Sequence, residues 1–254
     1  MNRALLAAGL GGLLAIGAIA ATLAGGGDEA AGLRDQRIGL MTSLPIYRAP
    51  QASVADALAA GDAEEHWLRA ELEEGNTLDP VDLLDPATLS HTDILLLIQP
   101  RALTPEEYVA LDDWVRAGGQ VLLVADPMLT SEPSFALGDP RNPQAIALTG
   151  PIHARWGLSL EPGTDGDEAE RMVEIGGHAI PVAHGGRFEK RPPAGGDPAD
   201  CALQSGGLVA VCAIGQGRAV LVADATFVER DPAPADAIAV LGVLLGMTRD
   251  ASAR

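Results

Sequence analysis

The chain has 254 residues, 47% of them hydrophobic, and carries 35 acidic side chains against 17 lysines and arginines, for a formal net charge of −18. Phosphate backbones are bound through basic patches, so this balance excludes nucleic acid as the main partner; Lys190 is the only lysine. With 3% aromatic residues a base-stacking platform is excluded as well, while the roughly 220 residues after the N-terminal segment suffice for one α/β domain.

Residues 4–24 form an uncharged, apolar run. As a helix rising ~1.5 Å per residue it would span about 31 Å, close to the ~30 Å hydrocarbon core of a bilayer. Arg3 precedes the run and Asp28 and Glu29 follow it. The positive-inside rule then leaves the N-terminus in the cytoplasm and translocates the remainder. A cleaved signal peptide is the alternative, with Ala18 and Ala20 in an A-x-A-like site, but the run exceeds the ~7–15 residues of an h-region. Residues 1–27 are therefore read as a transmembrane anchor, 28–35 as a linker and 36–250 as an extracytoplasmic domain. The expected location is the inner membrane, single-pass, with the domain in the periplasm.

Residues 36–43 read as a first strand. Residues 52–74 carry helical spacing through Leu58, Trp67, Leu68 and Leu72, interrupted at Gly61-Asp62. Residues 76–84 suggest a short strand broken by Pro80, and 92–98 (TDILLLI) is a run of the kind buried on both sheet faces. Thr104-Pro-Glu-Glu107 is a helix start: a threonine cap, proline in the first turn and glutamate three residues after the cap. Leu111, Trp114 and Val115 continue that helix, Gly118-Gly119 ends it, and 120–125 (QVLLVA) is a second buried strand. Strand, helix and strand with short connections imply right-handed crossovers and a parallel sheet.

The second half is less regular. Residues 126–145 read as a long loop, 145–156 as a helix divided by Gly150-Pro151, and 172–182 as a hairpin across Gly176-Gly177. Residues 184–200 read as a surface excursion. Strands return at 209–213 and 219–223, where Gly215-Gln-Gly217 fits a hairpin turn, and 235–247 is a closing apolar helix too short for a second membrane span. Around Gly206-Gly207 the segment 201–212 has the form of a hairpin. Counting outward from that turn sets Cys201 opposite Cys212, within disulfide reach; two buried thiols are the alternative.

The membrane anchor, the run TDILLLIQPRALTPEEYVALDDWVRAGGQVLLVADP at 92–127 and GQGRAVLVADATFV at 215–228 together resemble the extracytoplasmic domain of ABC-type transport auxiliary proteins of the gliding-motility-like group. The resemblance implies a flavodoxin-like, class I glutamine amidotransferase-like sheet with helices on both faces. It also implies a non-enzymatic role, with ABC transporter subunits as partners.

In open parallel sheets ligands bind at the carboxyl ends of the strands. The polar residues there are Thr42, Ser43, Gln99, Arg101, Asp126 and Asp224, candidates for holding a small polar ligand or a cation. Asp126 and Asp224 equally suit local turn capping. Amidotransferase-like chemistry needs a nucleophile on a tight strand-to-helix turn, and neither Gln99-Pro100-Arg101 nor Asp126-Pro127 supplies one. The alternative function is a degenerate amidotransferase-like or carboxylate- or metal-dependent enzyme drawing on Asp126 and Asp224. No metal-binding, dinucleotide or phosphate-loop motif is present, so no cofactor is expected. Of the histidines, His178 and His184 are placed for a mutual approach, His66 on a solvated helix face, and His153 in packing.

Overall fold

The computed structural model describes residues 34–47, 65–131, 133–136, 138–139, 141–163, 170–197 and 199–249. The expected anchor at 1–27, most of the linker and the start of the expected 52–74 helix lie outside them. Among the described residues no helix is long and apolar enough to cross a membrane.

The centre is a seven-stranded sheet in the order β2-β1-β3-β4-β11-β10-β9. Strands β1 (Arg37–Thr42), β2 (Thr77–Pro80), β3 (Ile94–Ile98), β4 (Gln120–Val124) and β11 (Gly217–Val222) run parallel. β10 (Val209–Ile214) and β9 (Asp200–Gln204) complete it antiparallel. The chain is thus a mixed α/β protein with a mostly parallel central sheet. Every residue of β3 is fully buried, as a central strand covered on both sides demands. Pro80, which cannot donate to a ladder, closes the edge strand β2.

Five of the six described helices have a proline or polar residue at their start that accounts for where they begin. In α1 (Trp67–Glu73) the His66 ring accepts from the Leu68 amide, so this histidine is a buried cap and not part of a solvated face. Asp85 caps α2 (Pro86–Leu89) through the Thr88 amide. α3 (Pro105–Arg116) carries a complete capping box, with Glu107 bonding the Thr104 amide and Thr104 bonding the Glu107 amide. Gly119 follows because a Cβ there would lie 2.4 Å from the Trp114 ring. α4 (Gly150–Arg155) begins at Gly150-Pro151. That pair therefore opens the helix instead of dividing a longer one, proline being tolerated in a first turn where its amide has no intrahelical partner. α5 (Thr226–Glu229) follows β11 on an Asp224 side chain that accepts from the Thr226 amide. α6 (Ala237–Met247) closes the domain. Asp112 of α3 ties α4 down, accepting from Arg155, Arg116 and the Trp156 indole at 2.9 Å each.

Two small ribbons lie outside the central sheet. β6 (Arg171–Ile175) pairs with β7 (His178–Val182) across Gly176-Gly177. β5 (Leu158–Glu161) pairs with β8 (Arg187–Lys190). The segment 184–200 is thus more than a surface excursion: burial of Phe188 against the edge-on ring of His153 draws its first part into a strand. In the β9–β10 hairpin Gly206 and Gly207 take positive φ, and Cys201 and Cys212 stand opposite each other, joined by a disulfide with Cα atoms 4.0 Å apart.

Candidate functional site

The carboxyl ends of β1, β3, β4 and β11 form one rim, and local bonding places each polar side chain on it. Gln99, just past β3, is fully buried with φ +43°, a left-handed conformation that turns the chain sharply out of the sheet. Its amide nitrogen donates to the carbonyls of Asp126 (3.1 Å) and Gln144 (2.8 Å), and its amide oxygen accepts from the Asp126 amide at 2.8 Å. Ser43 donates to the Gln99 carbonyl at 2.5 Å and accepts from the Gln144 amide at 2.9 Å. Thr42 accepts from the Leu44 amide at 2.9 Å. Ser43 and Gln99 thus stitch the 144 loop to the ends of β1, β3 and β4, while Thr42 caps the local turn after β1.

Asp126 and Asp224, at the ends of the adjacent strands β4 and β11, are also buried. Asp126 accepts from the amides of Met128 (2.8 Å) and Ala225 (3.0 Å). Asp224 accepts from the amides of Thr226 (2.8 Å) and Ala183 (3.2 Å) and bonds the Thr226 hydroxyl at 3.2 Å. Because the two carboxylates hold the consecutive amides of Ala225 and Thr226, they are electrostatic neighbours. Burial raises the pKa of both, making them weaker acids, and for Asp224 the nearby charge of Asp126 adds to it, pushing its pKa to about 8. His184 lies close enough to Asp126 to oppose the rise there.

Sequence reasoning missed what seals this pair. The segment 183–186 crosses directly above it: a Cβ on Gly185 would sit 2.4 Å from Val182 Cγ1 and 3.1 Å from Asp224 Oδ2. The following amide, Gly186, donates to the Ala223 carbonyl at 2.7 Å. The paired glycines were the available signal, since such close backbone contact leaves no room for a side chain.

Arg101 is not brought to the rim. Its guanidinium pairs with both oxygens of Glu107 at 2.9 and 2.6 Å and reaches the Asp82 carbonyl. Pro100 and the following turn send it to the base of α3, so it belongs to the capping box. His178 and His184 stand near opposite ends of β7 rather than approaching each other, and His178 lines a separate cavity. That cavity, about 300 Å³ at the amino ends of β1 and β2 between α1 and α6, contains none of the six candidates. Nor do they line a groove of about 360 Å³ beside Pro127 and His153. Burial lowers the His153 pKa to about 4, and its Nε2 lies 3.1 Å from the Thr149 hydroxyl, so it is a neutral packed group. Among the described residues no group of three histidine, cysteine, aspartate or glutamate side chains could hold a metal ion.

A profile described as "Domain of unknown function (DUF4350)" matches residues 64–229, about two thirds of the chain, and the chain belongs to that family. No curated protein matches it in sequence. Solved structures with a similar course include an exo-β-1,4-mannosidase from an Opitutaceae bacterium (14% identity, TM-score 0.47, covering 84% of this chain and 36% of that one). A cytoplasmic protein from Salmonella typhimurium gives 13% identity and TM-score 0.48, covering 84% of this chain and 98% of that one. A ThuA-like protein from Parabacteroides merdae gives 11% identity and TM-score 0.41, covering 85% and 89%. The chain spans about a third of the mannosidase's length.

Proposed function

We propose that this DUF4350 chain is a non-enzymatic extracytoplasmic domain, tethered to the inner membrane by residues 4–24, that binds a partner protein beside an ABC-type transporter. The observation that carries the non-enzymatic part is the commitment of the rim. Ser43, Gln99, Asp126 and Asp224 each bond the backbone of a crossing loop, and the two carboxylates are sealed from solvent, Asp224 directly beneath Gly185. A catalytic carboxylate must reach its substrate, whereas these are used up in fastening loops. The finer fold reading is flavodoxin-like: the parallel strands follow the order β2-β1-β3-β4-β11, the doubly wound arrangement in which the reversal falls between β1 and β3. The transport assignment is supported by the resemblance in the order of elements from 92 to 127 and from 215 to 228.

An enzymatic reading has one observation in its favour, the adjacency of two buried carboxyl groups with raised pKa values, a pattern that often marks reactive sites. The sealing of both groups counts against it. Crosslinking of the full-length protein in intact membranes, followed by identification of what is captured, tests the proposal. Capture of a transporter subunit is the expected result; recovery of the protein in the cytosolic fraction, or no crosslinked partner, overturns it.

A further inference from the structure

The row of paired residues Gln120, Arg218, Ala213 and Asp200 crosses β4, β11, β10 and β9, so these four side chains share one face of the sheet. Arg218 and Asp200 flank the small Ala213 from two strands apart, roughly 10 Å at the usual strand spacing. A groove of about 250 Å³ opens there, lined by Arg218, Asp200, Ala213, Val211, Ala202 and Lys190, with Cys201 of the disulfide at its wall. Arg218 is only 8% exposed, yet among the described residues no carboxylate pairs with its guanidinium and no carbonyl accepts from it. Arg101, Arg116, Arg155 and Arg191 each hold a carboxylate, in a chain with 35 acidic residues to choose from. The Arg218 nitrogens are not among the buried atoms without a partner, so the guanidinium opens onto the groove, a permanent positive charge whose donors face a ligand there.

We propose that this groove is a binding site for a small anion, a carboxylate- or phosphate-bearing group, held by Arg218 and Lys190. The guanidinium offers a planar fork of donors matched to two oxygens, and Lys190 adds a point charge. Ala202 and Val211 furnish an apolar floor from which water is partly excluded, which strengthens the attraction. The Cys201–Cys212 bridge fixes β9 to β10 and so keeps that floor in shape. Asp200 sets the selectivity: a second negative charge on the ligand would meet it across Ala213, so a single anionic group on a small body fits and a polyanion does not. None of the strand-end candidates lines this groove, so the site stands independently of the reading proposed above for the rim.

The test is a titration of the full-length protein in detergent with acetate and with inorganic phosphate, against chloride at matched ionic strength, read by calorimetry and thermal melting. The wild-type protein is expected to bind one of the two saturably and to melt higher with it; the responding anion identifies which group the site takes. Arg218→Gln should weaken that binding about tenfold or more and Lys190→Gln less, as loss of a charge-assisted fork implies. Without added anion, Arg218→Gln should unfold at the same denaturant concentration, because no carboxylate or carbonyl partner is lost with the guanidinium. Equal stabilisation of wild type and Arg218→Gln would mean a general salt effect or an adventitious ion only, and would overturn the proposal. So would a marked loss of stability in Arg218→Gln without anion, which would make the arginine a packing element.

Discussion

Replacing Asp224 by asparagine removes one ionisable group from beneath the 183–186 crossing while keeping its shape. In the unfolded chain this carboxyl titrates near 3.8, and in the fold near 8, first because of burial and then because of Asp126. A raised value means that the contribution of this group to stability is fully present below pH 3.8 and is lost progressively as pH rises to 8. The slope is about 1.4 kcal/mol per pH unit, so between pH 5 and pH 8 the wild type should lose on the order of 4 kcal/mol that the variant does not. At pH 5 the variant should be the weaker protein by about 1 kcal/mol, since its amide nitrogen faces the Ala183 amide where an acceptor is needed. At pH 9 the order should reverse. Urea unfolding of both proteins, followed by tryptophan fluorescence at pH 5, 7 and 9, measures the difference directly. A gap between the two that stays constant over this range would refute the account of the buried pair.

Three further outcomes follow from other parts of the structure. Changing Cys201 and Cys212 together to serine opens a loop of sequence separation 11 and should cost about 3 kcal/mol in denaturant unfolding. Reducing agent should then destabilise the wild type and leave the double variant unchanged. Glu107→Gln should cost about 2 kcal/mol at pH 7, because Glu107 serves Arg101 and the amides of Leu84 and Thr104 at once, with Arg101 40% exposed and its pairing partly screened. Arg101, with the two amides, holds the Glu107 carboxyl at about 2, so its stabilisation is complete above pH 4.5 and fades as pH falls toward 2. The variant and wild type should converge over that acid range in urea titrations.

Much of the fold was legible because its signals are local. The capping box at Thr104 and Glu107 and the fully apolar β3 and β4 each depend on residues within one element or its cap. The hairpin register around Gly206-Gly207 could be counted for the same reason. β8 was illegible because only Phe188 of its four residues is fully buried, and its pairing with β5 depends on contacts about 30 residues away. α4 was misread because Gly150-Pro151 is a breaker inside a helix and a starter at its beginning, and sequence alone does not say which applies. At the rim the residue types were readable but their commitments were not. Gln99 finds Gln144, Asp126 finds Ala225 and Asp224 finds Ala183, all far apart in the chain. Arg101 was taken for a rim group because its position after β3 conceals that Glu107, six residues on, claims it.

The outer strands of the central sheet are guarded in different ways. On one flank β2 has four residues and ends at a proline; on the other, β9 has five, starts with an exposed aspartate and is covalently fastened to its neighbour. Stray β-segments are recruited along long, flat, unpaired margins, and neither flank presents one. Crowding many copies together should therefore leave the sheets separate, so that association between copies, where it occurs, must run through side chains and not through shared backbone ladders.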